Sequence, residues 1–146
     1  MRCQQFKFAT VSIVICAGTF FVANLARPVT TEQVQKPRVF EIRTYTTEPG
    51  KLPDLLKRFR EHTTKLFEKH GMTNVGYWVP VDAPRSENTL IYVLSLPNRD
   101  AAKKAWDDFR NDPEWKQVQA ASEADGKIVE KVDSAFMTPT DFSVLK

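Results

Sequence analysis

Hydrophobic and polar positions over residues 38–146 follow strand and helix periods in turn. Residues 38–46 (RVFEIRTYT) alternate with a period of two, which predicts a strand. Residues 73–81 and 127–137 are also predicted to be strands. Residues 88–96 are apolar on both faces, which predicts a central strand. Apolar residues at helical spacing predict one helix from about residue 50 to 70 and two short helices between residues 98 and 126.

The order of these elements, β-α-β-β-α-β, predicts an α+β class and a ferredoxin-like fold, a four-stranded antiparallel sheet with the helices on one face. Alternation places Phe40 and Ile42 on one face of the first strand and Glu41, Arg43 and Tyr45 on the other. We expect the second group to lie on the face without helices. Because an uncovered sheet with apolar content usually finds a partner, two such faces are expected to pack as a homodimeric α/β barrel.

The first 37 residues have a different pattern. Two basic residues in 1–7 precede the uncharged stretch 8–26, the layout of a signal peptide and also close to the length of about 20 residues that a membrane span needs. We expect residues 1–26 to be a signal peptide or an uncleaved anchor, 27–37 a linker, and 38–146 an exported domain in the periplasm or outside the cell. Contact with a membrane is expected only through residues 8–26.

Charge and composition exclude several classes of function. Arg2 and Lys7 account for two of the 21 basic residues, which leaves 19 basic and 18 acidic residues in 27–146. This balance argues against a nucleic-acid partner, which would require a basic surface. Both cysteines, Cys3 and Cys16, precede the domain, and its two histidines are eight residues apart, so no metal site is expected.

Four motifs resemble those of the NIPSNAP family. They are FEIRTYTTEPGKL at 40–52, KHGMTNVGYW at 69–78, NDPEWK at 111–116 and PTDFS at 139–143. The resemblance implies a dimeric α/β barrel, a fold shared with cofactor-free monooxygenases, isomerases and small stress-response proteins, and we therefore expect no cofactor. With one unit and an export-like leader, the chain resembles a bacterial exported member of the family.

Five residues are candidates for a site. Glu41, Arg43 and Tyr45 could bind a small polar or anionic ligand, with the arginine as a planar donor. We favour the alternative, in which Glu41 and Arg43 pair across a dimer interface and Tyr45 packs there as an aromatic. Tyr92 could bring a phenol to a pocket, although core packing is the simpler interpretation of its central strand. His62, at the edge of the first helix's apolar stripe, could reach a pocket between helix and sheet as a general base or remain a partly exposed helix residue.

Two functions remain open at this point. The absence of a convincing nucleophile, base or metal cluster favours a tethered homodimeric interaction or scaffold module. The alternative is a cofactor-independent protein or enzyme, monooxygenase-like or isomerase-like, that takes a small molecule into a pocket of the dimeric barrel. The precedent for the alternative is the fold, which does not by itself define an activity.

Overall fold

The computed structural model describes residues 38–146, so the predictions for 1–26 and 27–37 lie outside the described part of the chain. Four strands form one antiparallel sheet in the order β2-β3-β1-β4. The strands are β1 (Val39–Thr47), β2 (Thr73–Trp78), β3 (Thr89–Leu96) and β4 (Val129–Met137). This topology confirms the predicted ferredoxin-like α+β fold, with β3 and β1 as the central pair.

The first predicted helix is interrupted by a π-helical turn. Helix α1 (Leu52–Arg58) continues through the π-helical turn Phe59–Thr63 into α2 (Thr64–Lys69). A short helix, α3 (Arg85–Asn88), lies between β2 and β3.

The second predicted helical region, after β3, consists of α4 (Arg99–Asn111) and α5 (Pro113–Ser122). Asparagine and aspartate before a helix are typical N-caps, and both cap here: Asn98 accepts a hydrogen bond from the backbone N–H of Ala101, and Asp112 accepts one from that of Glu114. Within residues 38–146, no helix is both long and apolar enough to cross a membrane.

The prediction that Glu41, Arg43 and Tyr45 occupy the face without helices is wrong. The indole N–H of Trp106 in α4 donates to Glu41 at 2.6 Å, the Arg43 guanidinium lies 4.0 Å from the Trp106 ring centre, and the ring of Tyr45 contacts that of Phe59 at 5.9 Å. Alternation separates the two faces of a strand without telling which one the helices cover. Here hydrogen-bond donors on the helix side compensate for the burial of a carboxylate.

On the opposite side of the sheet, which we call the open face, the half near Phe40 is apolar, and the other half carries the exposed ion pair of Lys131 and Asp133. Phe40, Val93, Trp78 and Met137 border a groove of about 360 Å³ on this face, together with the C-terminal tail 138–145. Trp78 is 53% exposed and Met137 is 39% exposed. The open face therefore presents large hydrophobic side chains where the sequence had predicted charged ones.

A glycine inside a strand is typical of a bulge, and β2 has a shift of register between Asn74 and Gly76. The indole of Trp78 lies over this glycine, and a Cβ at position 76 would meet the Trp78 Cη2 atom at 2.5 Å. Position 76 therefore has no room for a side chain while Trp78 keeps its place on the open face.

Asp112 joins the ends of three helices. Besides capping α5, its carboxylate lies 2.8 Å from the Lys69 ammonium and 2.6 Å from Nε2 of His70, at the end of α2. Hydrogen bonds from Lys69 and then from His70 lower the pKa of the Asp112 carboxyl well below its usual range. Asp112 thus stabilises the packing of α2 against the α4–α5 junction in its ionised form.

We expect Asp112→Asn to lower the free energy of unfolding near pH 7, because the amide keeps an oxygen for the cap but loses the charge. A depressed pKa means that this contribution is present above the unfolded value of about 4 and is lost progressively as the pH falls below it. Urea unfolding from neutral to acidic pH measures the difference, which should shrink with acidity. Asp125→Asn, in the exposed loop after α5, is the control, and a difference that does not change with pH would contradict the expectation.

Candidate binding site between the helices and the sheet

The aromatic core between helices and sheet is centred on Tyr92. Its side chain is fully buried on β3, and its ring centre lies 5.3 Å from Tyr45, 5.2 Å from Phe59, 5.8 Å from Phe67 and 5.4 Å from Tyr77. Burial raises the pKa of Tyr92 well above its ordinary value. Tyr92 is therefore a protonated core residue, which agrees with core packing, the simpler of its two predicted roles.

Glu41 is a buried carboxylate with three donors. It is 2% exposed and accepts hydrogen bonds from Trp106 Nε1 at 2.6 Å, from Ser134 Oγ at 2.6 Å and from Arg43 Nη1 at 3.2 Å. A buried charge persists when its remaining lone pairs are satisfied in this way. Glu41 consequently ties the central strand to α4 on one side and to β4 on the other.

Arg43 is held by its neighbours on the same chain. Its guanidinium pairs with Glu41 and also lies over the rings of Trp106, at 4.0 Å, and Tyr45, at 5.6 Å, where cation–π attraction is favourable. The structure thus brings Glu41, Arg43, Tyr45 and Tyr92 together, but as one packed cluster beneath the helices. The ion pair that we expected across a dimer interface forms within one protomer.

Next to this cluster, a cavity of about 200 Å³ opens between the helices and the strands β1 and β4. We call it the helix–sheet cavity. Five aromatic side chains line it: Tyr45, Phe59, Phe67, Phe109 and Trp115. Tyr45 alone among the predicted ligand-binding residues belongs to this lining. The cavity lies inside one protomer, so it does not depend on the open face.

The π-helical turn supplies part of the cavity wall. Both of its end residues, Phe59 and Thr63, line the cavity, and the Thr63 hydroxyl donates to the carbonyl of Arg58 at 3.2 Å. The backbone N–H of Thr64 donates to the carbonyl of Phe59, five residues back, as a π-helix requires. Such turns occur frequently at functional sites, because they displace side chains from the regular helical positions.

Arg58 is the buried cation of the site. Only 4% exposed, it lines the helix–sheet cavity, and its Nη1 donates to Glu123 at 2.9 Å and to Ser122 at 3.2 Å. Its guanidinium also lies 5.3 Å from the ring centre of Trp115. Arg58 is not among the site residues predicted from the sequence, because it stands among other basic residues of the first helix. Its place three residues after Leu55, on the apolar stripe, was the available signal.

His62 lies elsewhere. It is 47% exposed, 3.8 Å from a Glu61 carboxylate oxygen, and lines an outer groove of about 610 Å³ bordered by residues of α1 and α5. It is not part of the cavity lining, so its position gives no support to the predicted role of general base in a helix–sheet pocket. In residues 38–146, no group of three or more histidine, cysteine, aspartate or glutamate side chains is arranged to hold a metal ion.

The topology and the cavity define the class of protein: a ferredoxin-like α+β domain with a side-chain-lined chamber between its two layers. The chain belongs to the NIPSNAP family, whose model matches residues 40–144. This confirms the resemblance carried by the four sequence motifs. No curated protein matches the chain.

Solved structures of low sequence identity share the fold. A NIPSNAP family protein of unknown function from Agrobacterium tumefaciens is 22% identical, covers 76% of this chain and 96% of its own, and superposes with a TM-score of 0.65. A second one from that bacterium is 23% identical, with coverages of 75% and 99% and a TM-score of 0.65. A Streptomyces coelicolor monooxygenase in complex with nanaomycin D is 12% identical, with coverages of 76% and 95% and a TM-score of 0.53.

Removing the buried carboxylate should destabilise the domain. We expect Glu41→Ala to lower the free energy of unfolding by about 3 kcal/mol, because it leaves the Arg43 cation and the Trp106 N–H without their acceptor. Urea unfolding followed by tryptophan fluorescence measures the change. Glu130→Ala, at an exposed position of the neighbouring strand β4, should stay within about 0.5 kcal/mol of the wild type. Equal losses for the two variants would show that the Glu41 cluster has no special role.

Proposed function

We propose that this NIPSNAP-family chain is a small-molecule-binding module whose ligand occupies the helix–sheet cavity. The observation that carries the proposal is the cavity itself, a chamber of about 200 Å³ inside one protomer. Five aromatic rings form a large part of its wall, and a buried arginine and the two ends of a π-helical turn also line it. Binding sites commonly combine an apolar wall with a small number of placed polar groups in this way.

The chemistry of the surrounding groups favours binding over acid–base catalysis. Tyr77 and Tyr92, the other phenols of the aromatic core, are not part of the cavity wall, and the Tyr77 hydroxyl already donates a hydrogen bond to Asn74. His62, the predicted base, lies on the outer groove. Among the described residues, the wall of the cavity contains neither histidine nor cysteine.

The open face favours a second role, that of a homodimeric interaction module. Exposed Trp78 and Met137 stand beside Phe40 and Val93 on a sheet surface without helices. A contiguous apolar surface of this kind is typical of an interface. We therefore also propose a two-fold dimer that buries the open face and leaves both helix–sheet cavities intact. Export or anchoring through residues 1–26 remains a proposal from the sequence pattern.

The ligand-binding proposal is tested by filling the cavity. Val132 lines the cavity from β4 opposite Tyr45 and is 41% exposed, so a larger side chain there can close the opening at little cost in folding. A panel of single-ring aromatic compounds should raise the melting temperature of the wild type, by roughly 5 °C for a binder at ten times its dissociation constant. Val132→Trp should abolish that shift.

Val81→Trp is the matched control, because it adds the same indole at a position that is 91% exposed in the loop after β2. This variant should keep the ligand-induced shift. The proposal fails if no compound stabilises the wild type, or if both tryptophan variants respond as the wild type does.

The dimer is tested by placing a charge on the open face. Light scattering of the full chain at micromolar concentration should give twice the 16.7 kDa of one chain. Val93→Lys should shift the mass to that of a monomer, because a buried ammonium without a partner opposes association. Gln117→Lys adds the same charge on α5 and should remain dimeric. A monomeric wild type would contradict the proposed dimer without affecting the cavity.

A further inference from the structure

The guanidinium of Arg58 has one occupied edge and one free edge. Both of its hydrogen bonds leave from Nη1, to Glu123 and to Ser122. Its Nε–H is buried and has no acceptor within residues 38–146. A buried donor without an acceptor is costly, and a carboxylate matches the paired donors of an arginine edge bidentately. From this free edge, and resting on the proposed ligand-binding function, we propose that the helix–sheet cavity takes a single-ring aromatic monocarboxylate, bound through its carboxylate by Arg58.

The charge of the lining agrees with a monoanion. Two cations, Arg58 and Lys127, and one carboxylate, Glu123, are the charged groups of the cavity wall, which gives the lining one excess positive charge. A single carboxylate on the ligand neutralises this excess. A neutral ligand leaves it in place, and a cationic ligand adds to it inside a partly desolvated chamber.

The remaining wall selects a flat ring. The rings of Phe109 and Trp115 lie 4.5 Å apart at an interplanar angle of 33°, and Phe59 and Tyr45 are T-shaped at 5.9 Å. These faces and edges offer an aromatic ligand the offset and perpendicular contacts that aromatic pairs prefer. The volume, about 200 Å³, is below the range of roughly 300–1,000 Å³ of pockets for drug-sized molecules, which limits the ligand to about one ring.

Glu123 sets the affinity by competing with the ligand for Arg58. Its side chain is 24% exposed, whereas that of Arg58 is 4% exposed, so the glutamate has access to solvent and the arginine does not. Weakening the Glu123 pair makes more of the guanidinium's charge available to the ligand, so neutralising this glutamate should tighten the binding of an anion.

The test compares phenylacetate with its neutral isostere phenylacetamide by isothermal titration calorimetry on the full chain. We expect phenylacetate to bind about 10- to 100-fold more tightly, the range of a charge-assisted hydrogen-bonded pair. Arg58→Met should remove this preference, and Glu123→Gln should increase it. Lys57→Met removes a neighbouring cation of the outer groove and should leave the preference unchanged.

The outcomes separate the two proposals. If phenylacetate and phenylacetamide bind the wild type equally, or if Lys57→Met removes the preference instead of Arg58→Met, the role of Arg58 is refuted while ligand binding in the cavity stands. If neither compound nor any other member of the aromatic panel binds, the proposed function falls as well. Should Arg58→Met fail to fold, Glu123→Gln decides, because unchanged or weaker phenylacetate binding in that variant refutes the competition.

Discussion

The hydrogen bond between the Trp106 indole and the Glu41 carboxylate fixes how the two layers of this domain meet. It joins the middle of β1 to the middle of α4, and the other donors to Glu41 come from β1 itself and from β4. The acid needs all three donors because it is almost fully buried. Because Glu41 needs these donors, β1 is oriented with its odd-numbered side chains towards the helices and its even-numbered side chains on the open face.

That orientation gives the two sides of the sheet different surroundings: one side packs against the helices, and, within residues 38–146, the other has no helix over it. The helix side contains the aromatic core around Tyr92, and the helix–sheet cavity lies beside it, where the packing is incomplete. The apolar half of the open face carries Trp78, whose indole occupies the space beside Gly76 that a side chain would need. The proposed ligand site and the proposed association surface can therefore coexist in one small domain, because they lie on opposite sides of a single sheet.

The sequence predicted the order of the elements and most of their ends, because periodicity, caps and the glycine bulge are local signals. It could not tell which face of β1 the helices cover. Glu41 and Arg43 suggested solvent or an interface, and only the distant Trp106 and Ser134 explain why they are buried. Arg58 was missed although its place on the apolar stripe was a local signal, because the partners that explain its burial, Glu123 and Trp115, lie more than fifty residues away in the chain. Hydrogen bonds and ring contacts between residues so far apart in the chain become apparent only in the folded molecule.

Because of the π-helical turn, the shape of the cavity depends on the number of residues in the first helix as well as on which side chains line it. One residue fewer between Phe59 and Thr63 would restore a regular α-helix and rotate every later position of α2 by about 100° around the axis. Leu66 and Phe67 would then leave the core they now fill. Relatives with and without the extra residue would thus differ in which residues surround the chamber, even with similar residues throughout. Variation in ligand preference across such a family could arise by insertion or deletion of a single residue.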